Sequence, residues 1–193
     1  MDLEEFAGHR SSLFGAINKI PQTQKNFEAL LAKKILEIPK TKPIFIEGES
    51  RKVGEVFIPQ TLAESMKNGT LVLLRASLDT RIDRIVEEYK INDEKTYLQT
   101  DSILQSMQKV LGKIKADQLR KWLRKGEFKN IVHVLLEEYY DPRYQYAMSG
   151  NEYSLELSAE DLNIAAEKLI RFQNSFISSK DNGLQTAQSK KLN

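Results

Sequence analysis

The spacing of apolar side chains in the first half of the chain predicts helices and strands that alternate. In residues 25–38 apolar positions recur three and four apart, which is typical of an amphipathic helix. Residues 43–47 form a short apolar run that predicts a buried strand. Residues 53–58 alternate less cleanly and predict a weaker strand or a strand-like connection. Residues 70–74 are apolar or β-branched throughout, which favours a central strand covered on both faces. Further helices are predicted at 59–66 and 79–89. Strands and helices in this order are typical of a parallel, doubly wound α/β sheet.

The second half changes to a helical periodicity. Between residues 103 and 139, three apolar stripes predict three consecutive helices. We expect the third to end at Asp141-Pro142, because the residue before a proline is disfavoured in the helical conformation. A last helix is predicted at 162–176, with Ser158 as its N-cap.

The composition narrows the classes of protein that fit this pattern. The chain has 193 residues, 40% of them apolar and 29% charged, a balance typical of a globular domain. No apolar run approaches the roughly 18 residues of a membrane-spanning helix. The absence of cysteine excludes disulfides, thiolate metal sites and a thiol nucleophile in this chain. Two histidines, His9 and His133, argue against a multi-histidine metal site. We therefore expect a cytoplasmic protein with no metal site and no membrane contact.

The charges are unevenly distributed along the chain. Residues 109–129 contain eight basic and two acidic side chains, a local net charge of +6, whereas the whole chain carries +2. A basic segment of this kind favours a polyanionic partner such as RNA. The alternative is that these side chains only solvate the outer face of a helix.

Four short motifs occur in a fixed order. They are DLEEFAGHRSSLFG at 2–15, PQTQKNFE at 21–28, EGESRKVG at 47–54 and YYDPRY at 139–144. In this order and spacing they resemble the P-loop domain of the tRNA 2-selenouridine synthase family. The family pattern is close to D-L-E-x-x-A-x-H-R-x-S-x-F-G, P-Q-x-x-x-x-F-E, E-x-E-S-R-x-x-G and Y-D-P-x-Y. The resemblance covers residues 2–171.

The resemblance implies a fold and an activity. The fold class would be α/β, with a truncated P-loop-type parallel sheet at 1–92 and an all-helical C-terminal segment at 93–177. Residues 178–193 are polar and poor in large apolar side chains, and this composition by itself predicts a disordered tail. Family members replace sulfur by selenium in the wobble 2-thiouridine of tRNA. The complete enzyme uses selenophosphate and passes through a geranylated intermediate made from geranyl diphosphate. The implied partners are therefore tRNA and, if the activities are split between chains, a rhodanese-domain chain.

Two parts of the family pattern are missing from this sequence. The family's rhodanese-like domain supplies a catalytic cysteine, and its phosphate loop has the form G-x-x-x-x-G-K-[ST]; this chain has neither. Nothing else in the sequence replaces the backbone N–H groups and lysine of that loop. The chain resembles the C-terminal portion of the enzyme, with no catalytic residue of its own. We expect it to bind tRNA or a diphosphate ligand without catalysis.

Two other functions remain as alternatives. The first is an RNA-binding or scaffold module that acts with a separate rhodanese and P-loop chain. The second is a free-standing nucleotide or small-molecule kinase, against which the missing phosphate loop argues strongly.

The motifs supply candidates for a ligand or phosphate site. Asp2 would lie at the ligand-facing edge of the sheet, and His9-Arg10 lies in a polar loop suited to an anion. Glu47 or Glu49 could order magnesium, although acidic residues are common at strand ends. The ligand-site candidates are Asp2, His9, Arg10, Glu47, Glu49, Ser50 and Arg51. The tRNA-binding candidates are Lys113, Arg120, Lys121, Arg124, Arg143 and Tyr144.

Overall fold

The computed structural model describes residues 1–40 and 42–189, with residues 176–189 described by their backbone alone. The chain divides into two compact units. The first consists of Met1–Gly69 and Leu78–Asn151, and the second of Thr70–Ser77 and the chain from Glu152 onward. This division differs from the predicted boundary near residue 92, since the second unit combines a segment from each half of the sequence. Among the described helices, none is both long and apolar enough to cross a lipid bilayer.

The amino-terminal part of the first unit consists of three helices and a small hairpin. Its elements are α1 (Leu3–Ala7), α2 (Gln24–Glu37), β1 (Lys52–Val53), β2 (Val56–Phe57) and α3 (Gln60–Lys67). Strands β1 and β2 pair in antiparallel fashion. Their shared core consists of Leu3, Ala7, Phe27, Leu31, Val53, Val56 and Ile58. The amphipathic helix predicted at 25–38 and the helix predicted at 59–66 are both confirmed.

The strand predictions in this region are wrong in two respects. Residues 43–50 form no regular secondary structure, and residues 53–58 form part of an antiparallel hairpin and not a strand of a parallel sheet. The reason for the first difference is that this segment runs beside α1. The Phe45 carbonyl accepts a hydrogen bond from the Met1 amino group, and the Glu47 carboxylate accepts one from the Glu4 N–H. The polar groups of residues 43–50 therefore bond to the start of α1 and not to a neighbouring strand.

The rest of the first unit is helical. Its elements are α4 (Leu78–Tyr89), α5 (Glu94–Ser106), α6 (Gln108–Leu111), α7 (Lys113–Lys125), α8 (Phe128–Leu135), a π-helical turn (Leu136–Tyr140) and α9 (Asp141–Met148). Local signals fix several ends: Asp93 and Thr96 form a capping box at the start of α5, and α7 ends at Gly126 in the left-handed conformation. The core of this region consists of Leu104, Met107, Leu119, Leu123, Ile131 and Leu135, together with Phe14 and Ile17 from the segment after α1.

The expected helix end at Asp141-Pro142 is wrong. Asp141 has helical dihedral angles, φ −57° and ψ −41°, and Pro142 lies in the first turn of α9. A proline inside a regular α-helix loses a hydrogen bond and clashes with the preceding turn. Here the wider π-helical turn changes the hydrogen-bonding register just before the proline, so that the chain remains helical.

The second unit contains a small parallel sheet. Strand β3 (Val72–Arg75) pairs in register with β4 (Leu155–Ser158), and helix α10 (Leu162–Ser189) follows. The strand predicted at 70–74 is confirmed, but it is not central, because the sheet has only these two strands within residues 1–40 and 42–189. The prediction of an all-helical C-terminal segment is wrong at β4. Its alternation of apolar and polar residues is four residues long, too short to stand out beside the helical periodicity around it.

The start of α10 agrees with the prediction, but its cap does not. Ser158 belongs to β4, and the Asp161 carboxylate instead accepts the N–H groups of Asn163 (2.8 Å) and Ile164 (3.1 Å). Helix α10 extends through Ser189 and so includes part of the tail predicted to be disordered, while residues 190–193 lie outside the described residues. The described chain is thus mainly helical with a small parallel sheet.

Candidate functional site

The acidic residues of the first and third motifs satisfy backbone N–H groups. The Asp2 carboxylate caps α1 by accepting the Glu5 N–H at 2.7 Å. Glu47 Oε1 accepts the Glu4 N–H at 2.7 Å, and Glu4 Oε1 accepts the Ser11 N–H at 2.5 Å. These contacts bring the segment around residue 47 to the start of α1. The three carboxylates therefore fix the arrangement of the two motifs.

Burial makes two of these carboxylates harder to ionise. Desolvation raises the pKa of Glu4 and of Glu47 above 4.5, and the hydrogen bonds from backbone N–H groups oppose the shift only partly. The negative charges of Asp2 and Glu49 nearby raise the pKa of Glu4 further. Among the described residues, no three His, Asp or Glu side chains are grouped so that they could hold a metal ion.

His9 is packed between two glycines. A side chain built on Gly15 or Gly54 would overlap the imidazole ring, and Gly54 has a positive φ of 58° that favours glycine in any case. The ring nitrogen Nδ1 is buried and has no hydrogen-bond partner. The H-R-x-S-x-F-G and E-S-R-x-x-G patterns are thus joined through this one ring. Its place is structural, and its predicted role in anion binding stays a prediction.

Arg10 connects the first motif to α4. Its Nε pairs with Glu88 at 2.8 Å, and its Nη1 donates to the Ile17 carbonyl at 2.9 Å. The guanidinium also lies 4.5 Å from the centre of the Tyr89 ring, within the range of a cation–π contact. Arg10 is therefore largely occupied by contacts within the protein.

The remaining candidates of the third motif lie around the hairpin. The Ser50 hydroxyl donates to the Lys52 carbonyl at 2.8 Å. The Arg51 carbonyl accepts the Ile58 N–H at 2.9 Å, and its side chain is exposed. Glu49 is half-buried near Glu4. The structure thus brings Asp2, Glu47 and Glu49 close to Glu4, whereas Ser50 and Arg51 lie in the segment that leads into β1.

A cavity of about 420 Å³ lies in the first unit, beside Arg10. It is bounded by the loop after α1, by α4 and by the segment from α8 to α9. Most of its wall is hydrocarbon: Phe14, Ile17, Ile85, Val86, Ile91, Phe128, Ile131, Val132, Leu135 and Leu136. Its basic lining residues are Arg10, Arg81, Arg84 and Lys90, and its acidic ones are Glu4, Glu88 and Asp141. The cavity therefore combines an apolar wall with charged groups.

Three buried polar atoms of the cavity-lining residues lack a hydrogen bond of good geometry. They are the Ser11 hydroxyl, the Arg81 Nε and the Tyr140 hydroxyl. The other guanidinium nitrogens of Arg81 hold Asp141 in a bidentate pair at 2.6 and 2.9 Å. Burial raises the pKa of Tyr140 far above its usual value, so its hydroxyl stays protonated and can donate. Unsatisfied donors in a concave site are available to a ligand with oxygen acceptors.

The cavity was not predictable from the sequence. Arg81 and Ile85 both line it and lie four residues apart, on one face of α4. An arginine on the apolar face of an amphipathic helix is the signal that could have indicated a polar site. Ser11 and Tyr140 belong to two of the sequence motifs, but they are 129 residues apart and line one cavity only in the folded chain.

The fourth motif adds aromatic groups beside the cavity. Tyr144 lines it, is 53% exposed and stacks on Tyr140 with 6.5 Å between ring centres. The Arg143 guanidinium lies 3.7 Å from the centre of the Tyr139 ring and also donates to the Tyr139 carbonyl. Tyr144 therefore offers an accessible aromatic surface, while Arg143 joins α9 to the π-helical turn before it.

The basic candidates of the 109–129 segment all lie on α7. Lys113, Lys121 and Arg124 are exposed. Arg120 differs, because it holds Asp101 of α5 in a bidentate pair at 2.8 and 2.7 Å. This pair lowers the pKa of Asp101. Three of the four candidates are thus available to a polyanion, and Arg120 connects two helices.

The chain is similar in sequence to a protein family and to several named proteins. A family model described as "tRNA 2-selenouridine synthase AAA domain" matches residues 1–168. A protein named tRNA 2-selenouridine synthase from Hydrogenovibrio crunogenus is 30% identical over 178 residues, which cover 82% of this chain and 49% of that protein. One of the same name from Alcanivorax borkumensis is 28% identical and covers 77% and 49%. The chain thus spans about half the length of these relatives. No solved structure matches the chain significantly.

Proposed function

Since the chain belongs to the family of the tRNA 2-selenouridine synthase AAA domain, we propose that it takes part in forming selenouridine in tRNA by binding tRNA and an isoprenoid diphosphate. The relatives that carry this enzyme name are about twice as long as the matched region. The complete reaction, with selenophosphate as selenium donor, is therefore assigned to the longer enzyme. In this proposal β3 and β4 belong to a P-loop-type sheet of which this chain holds a part.

The cavity in the first unit is the observation that carries the ligand assignment. Its volume of about 420 Å³ falls within the range of small-molecule sites. A hydrocarbon wall favours an apolar group, because transfer of that group out of water is favourable. The Ser11 hydroxyl, the Arg81 Nε and the Tyr140 hydroxyl, which lack a hydrogen bond of good geometry within the protein, favour an anionic oxygen at the same site. Geranyl diphosphate, which the family resemblance implies, combines these two features in one molecule.

The tRNA assignment rests on α7 and on Tyr144. Lys113, Lys121 and Arg124 are exposed on one unbroken helix and can neutralise phosphates. The half-exposed ring of Tyr144 borders the cavity and offers a surface on which an unpaired base can stack. A base held there would lie beside the geranyl group of the diphosphate proposed to bind in the cavity.

The ligand assignment is tested by calorimetric titration of the full chain with geranyl diphosphate. We expect one molecule bound per chain, with geraniol and inorganic diphosphate each binding at least tenfold more weakly, because each lacks one of the two features. Val132→Trp, which fills the cavity wall, should weaken binding at least tenfold. Val110→Trp, at a position that is 55% exposed, is the matched control and should leave binding unchanged. Equal affinity in the two variants would contradict the assignment.

The chain alone is proposed to bind without converting the substrate, because it has no thiol and no phosphate loop. We expect no selenium in 2-thiouridine-containing tRNA after incubation with this chain, selenophosphate and geranyl diphosphate. Mass spectrometry of the digested tRNA measures this directly. Formation of selenouridine by the chain alone would refute this part of the proposal.

A further inference from the structure

Glu4 differs from the other acidic residues that line the cavity, because they have basic partners. Asp141 holds Arg81 in a bidentate pair. Glu88 pairs with Arg10 at 2.8 Å. Glu4 lines the same cavity, and in the described part of the chain its carboxylate holds no lysine or arginine in an ion pair. Glu4 is therefore the acidic lining residue that is most available to a ligand.

Only one of the two carboxylate oxygens of Glu4 is used within the protein. Oε1 accepts the Ser11 N–H, whereas Oε2 accepts no hydrogen bond from any described residue. Burial of a carboxylate is costly unless its oxygens accept hydrogen bonds, and burial raises the pKa of the half-buried Glu4. A ligand N–H group that reaches Oε2 would therefore form a favourable, charge-assisted hydrogen bond.

The half-exposed ring of Tyr144 lies near this carboxylate. Both residues line the cavity, and burial raises the pKa of the Tyr144 hydroxyl. The negative charges of Glu49, Glu4 and Asp141 raise it further, which places these carboxylates near the ring. An exposed aromatic face binds an unpaired base by stacking, and an acceptor beside it can read the N–H groups on the edge of that base. Tyr144 and Glu4 together supply both kinds of contact.

We propose that Glu4 accepts a hydrogen bond from the N3–H of a 2-thiouridine base stacked on Tyr144, and so selects the base that is not yet alkylated. The base has a single N–H donor on its Watson–Crick edge, at N3. An S-alkylated base has no proton there, so N3 becomes an acceptor that a carboxylate repels. The inference rests on the proposed function, because it names the contact that recognises the tRNA base at that site.

The affinities of the full chain for two RNAs test this contact. One RNA is a stem-loop with a single 2-thiouridine in its loop, and the other carries S-methyl-2-thiouridine at the same position. We expect the wild-type chain to bind the first at least tenfold more tightly, because a site that accepts an N–H rejects an analogue without it. A methyl group in place of a geranyl group keeps the comparison independent of the isoprenoid assignment. Equal affinities in the wild-type chain would overturn the inference.

Glu4→Gln should reverse this preference. The amide oxygen can still accept the Ser11 N–H, and the amide NH2 then takes the place of Oε2. That group donates to N3 of the S-methyl base and opposes the N3–H of 2-thiouridine. Glu5→Gln removes the same charge from the exposed neighbouring position of α1 and should keep the wild-type preference. A wild-type preference in Glu4→Gln would assign the discrimination to another group and overturn the inference.

The outcomes separate this inference from the proposed function. Binding of both RNAs with equal affinity would leave the tRNA assignment standing and overturn only the contact with Glu4. Binding of neither RNA would contradict the tRNA assignment and the inference together. The expected preference in a chain that fails to bind geranyl diphosphate would support the inference and contradict the ligand assignment.

Discussion

The place of His9 illustrates what single residues contribute to this fold. The sequence predicts His9-Arg10 in a polar loop suited to an anion, whereas the structure packs the His9 ring against Gly15 and Gly54 and pairs Arg10 with Glu88. The motif is visible in the sequence, but the contacts that hold these two side chains within the protein are not. Gly54 is 45 positions from His9 in the sequence, and no local pattern indicates which glycine leaves room for which ring.

We predict that Gly54→Ala destabilises the chain more than Gly126→Ala does. Both glycines have a positive φ, but only at Gly54 would the added carbon meet another side chain, that of His9. Backbone strain costs about 1 kcal/mol and overpacking about 1–3 kcal/mol more. Denaturant unfolding should therefore show a loss of about 2–4 kcal/mol for Gly54→Ala and about 1 kcal/mol for Gly126→Ala. Equal losses would show that the His9 contact contributes nothing.

Glu47 gives a prediction for the effect of pH. Its pKa is raised in the folded state, mainly by burial, so the folded chain binds more protons than the unfolded chain just above pH 4.5. The free energy of unfolding should therefore fall as the pH rises through that range. Glu47→Gln keeps an oxygen to accept the Glu4 N–H but cannot ionise, and should make this fall less steep. Melting temperatures across the range test this, with Glu87→Gln, at an exposed position, as the control. If the melting temperature of Glu47→Gln falls with rising pH as steeply as that of the wild type, the prediction is contradicted.

At the scale of elements, the helices were predictable and their connections less so. Apolar periodicity identified α2, α4, α7 and α8, because one face of each packs on a core. The π-helical turn at Leu136–Tyr140 was not predictable, since the proline signal that follows it normally ends a helix. The bidentate contact of Asp141 with Arg81 of α4 supports the continued helix. That contact joins residues 60 apart in the sequence and is invisible to a local pattern.

Helix α7 gives a prediction about tRNA. Lys121→Glu combined with Arg124→Glu should weaken tRNA binding at least tenfold at low salt. It should also reduce the slope of log affinity against log salt by about 2, since two phosphate contacts are lost. Filter binding at several salt concentrations measures both. Lys25→Glu combined with Lys33→Glu on α2 makes the same change in charge at exposed positions and should have little effect. Equal losses in the two double variants would show that only net charge matters.

Arg120 belongs to a separate prediction, because it pairs with Asp101. Arg120→Glu should place two carboxylates together between α5 and α7 and lower the melting temperature. Lys121→Glu alone, on the exposed side of the same helix, is the control and should leave the melting temperature unchanged. A fall in tRNA affinity for Arg120→Glu with no change in melting temperature would instead assign Arg120 to the RNA interface.

At the scale of the whole molecule, family membership was identified from four motifs and is confirmed by the match over residues 1–168. The sheet was predicted only in part: the β3 region was found, but its partner β4 is about 80 residues away. The cavity was not predicted at all, because its wall combines residues from the first motif, α4 and α8. Such a site exists only once the helices have packed.

The central claim is that this cavity holds the isoprenoid group. The most direct test is the nuclear Overhauser effect between geranyl diphosphate and the methyl groups of the full chain. We expect contacts from the geranyl methyl groups to Ile131 and Leu136, which line the cavity. Contacts only to Ile44 and Ile114, which are exposed elsewhere, would contradict the claim, as would no contact to any methyl group at saturating ligand.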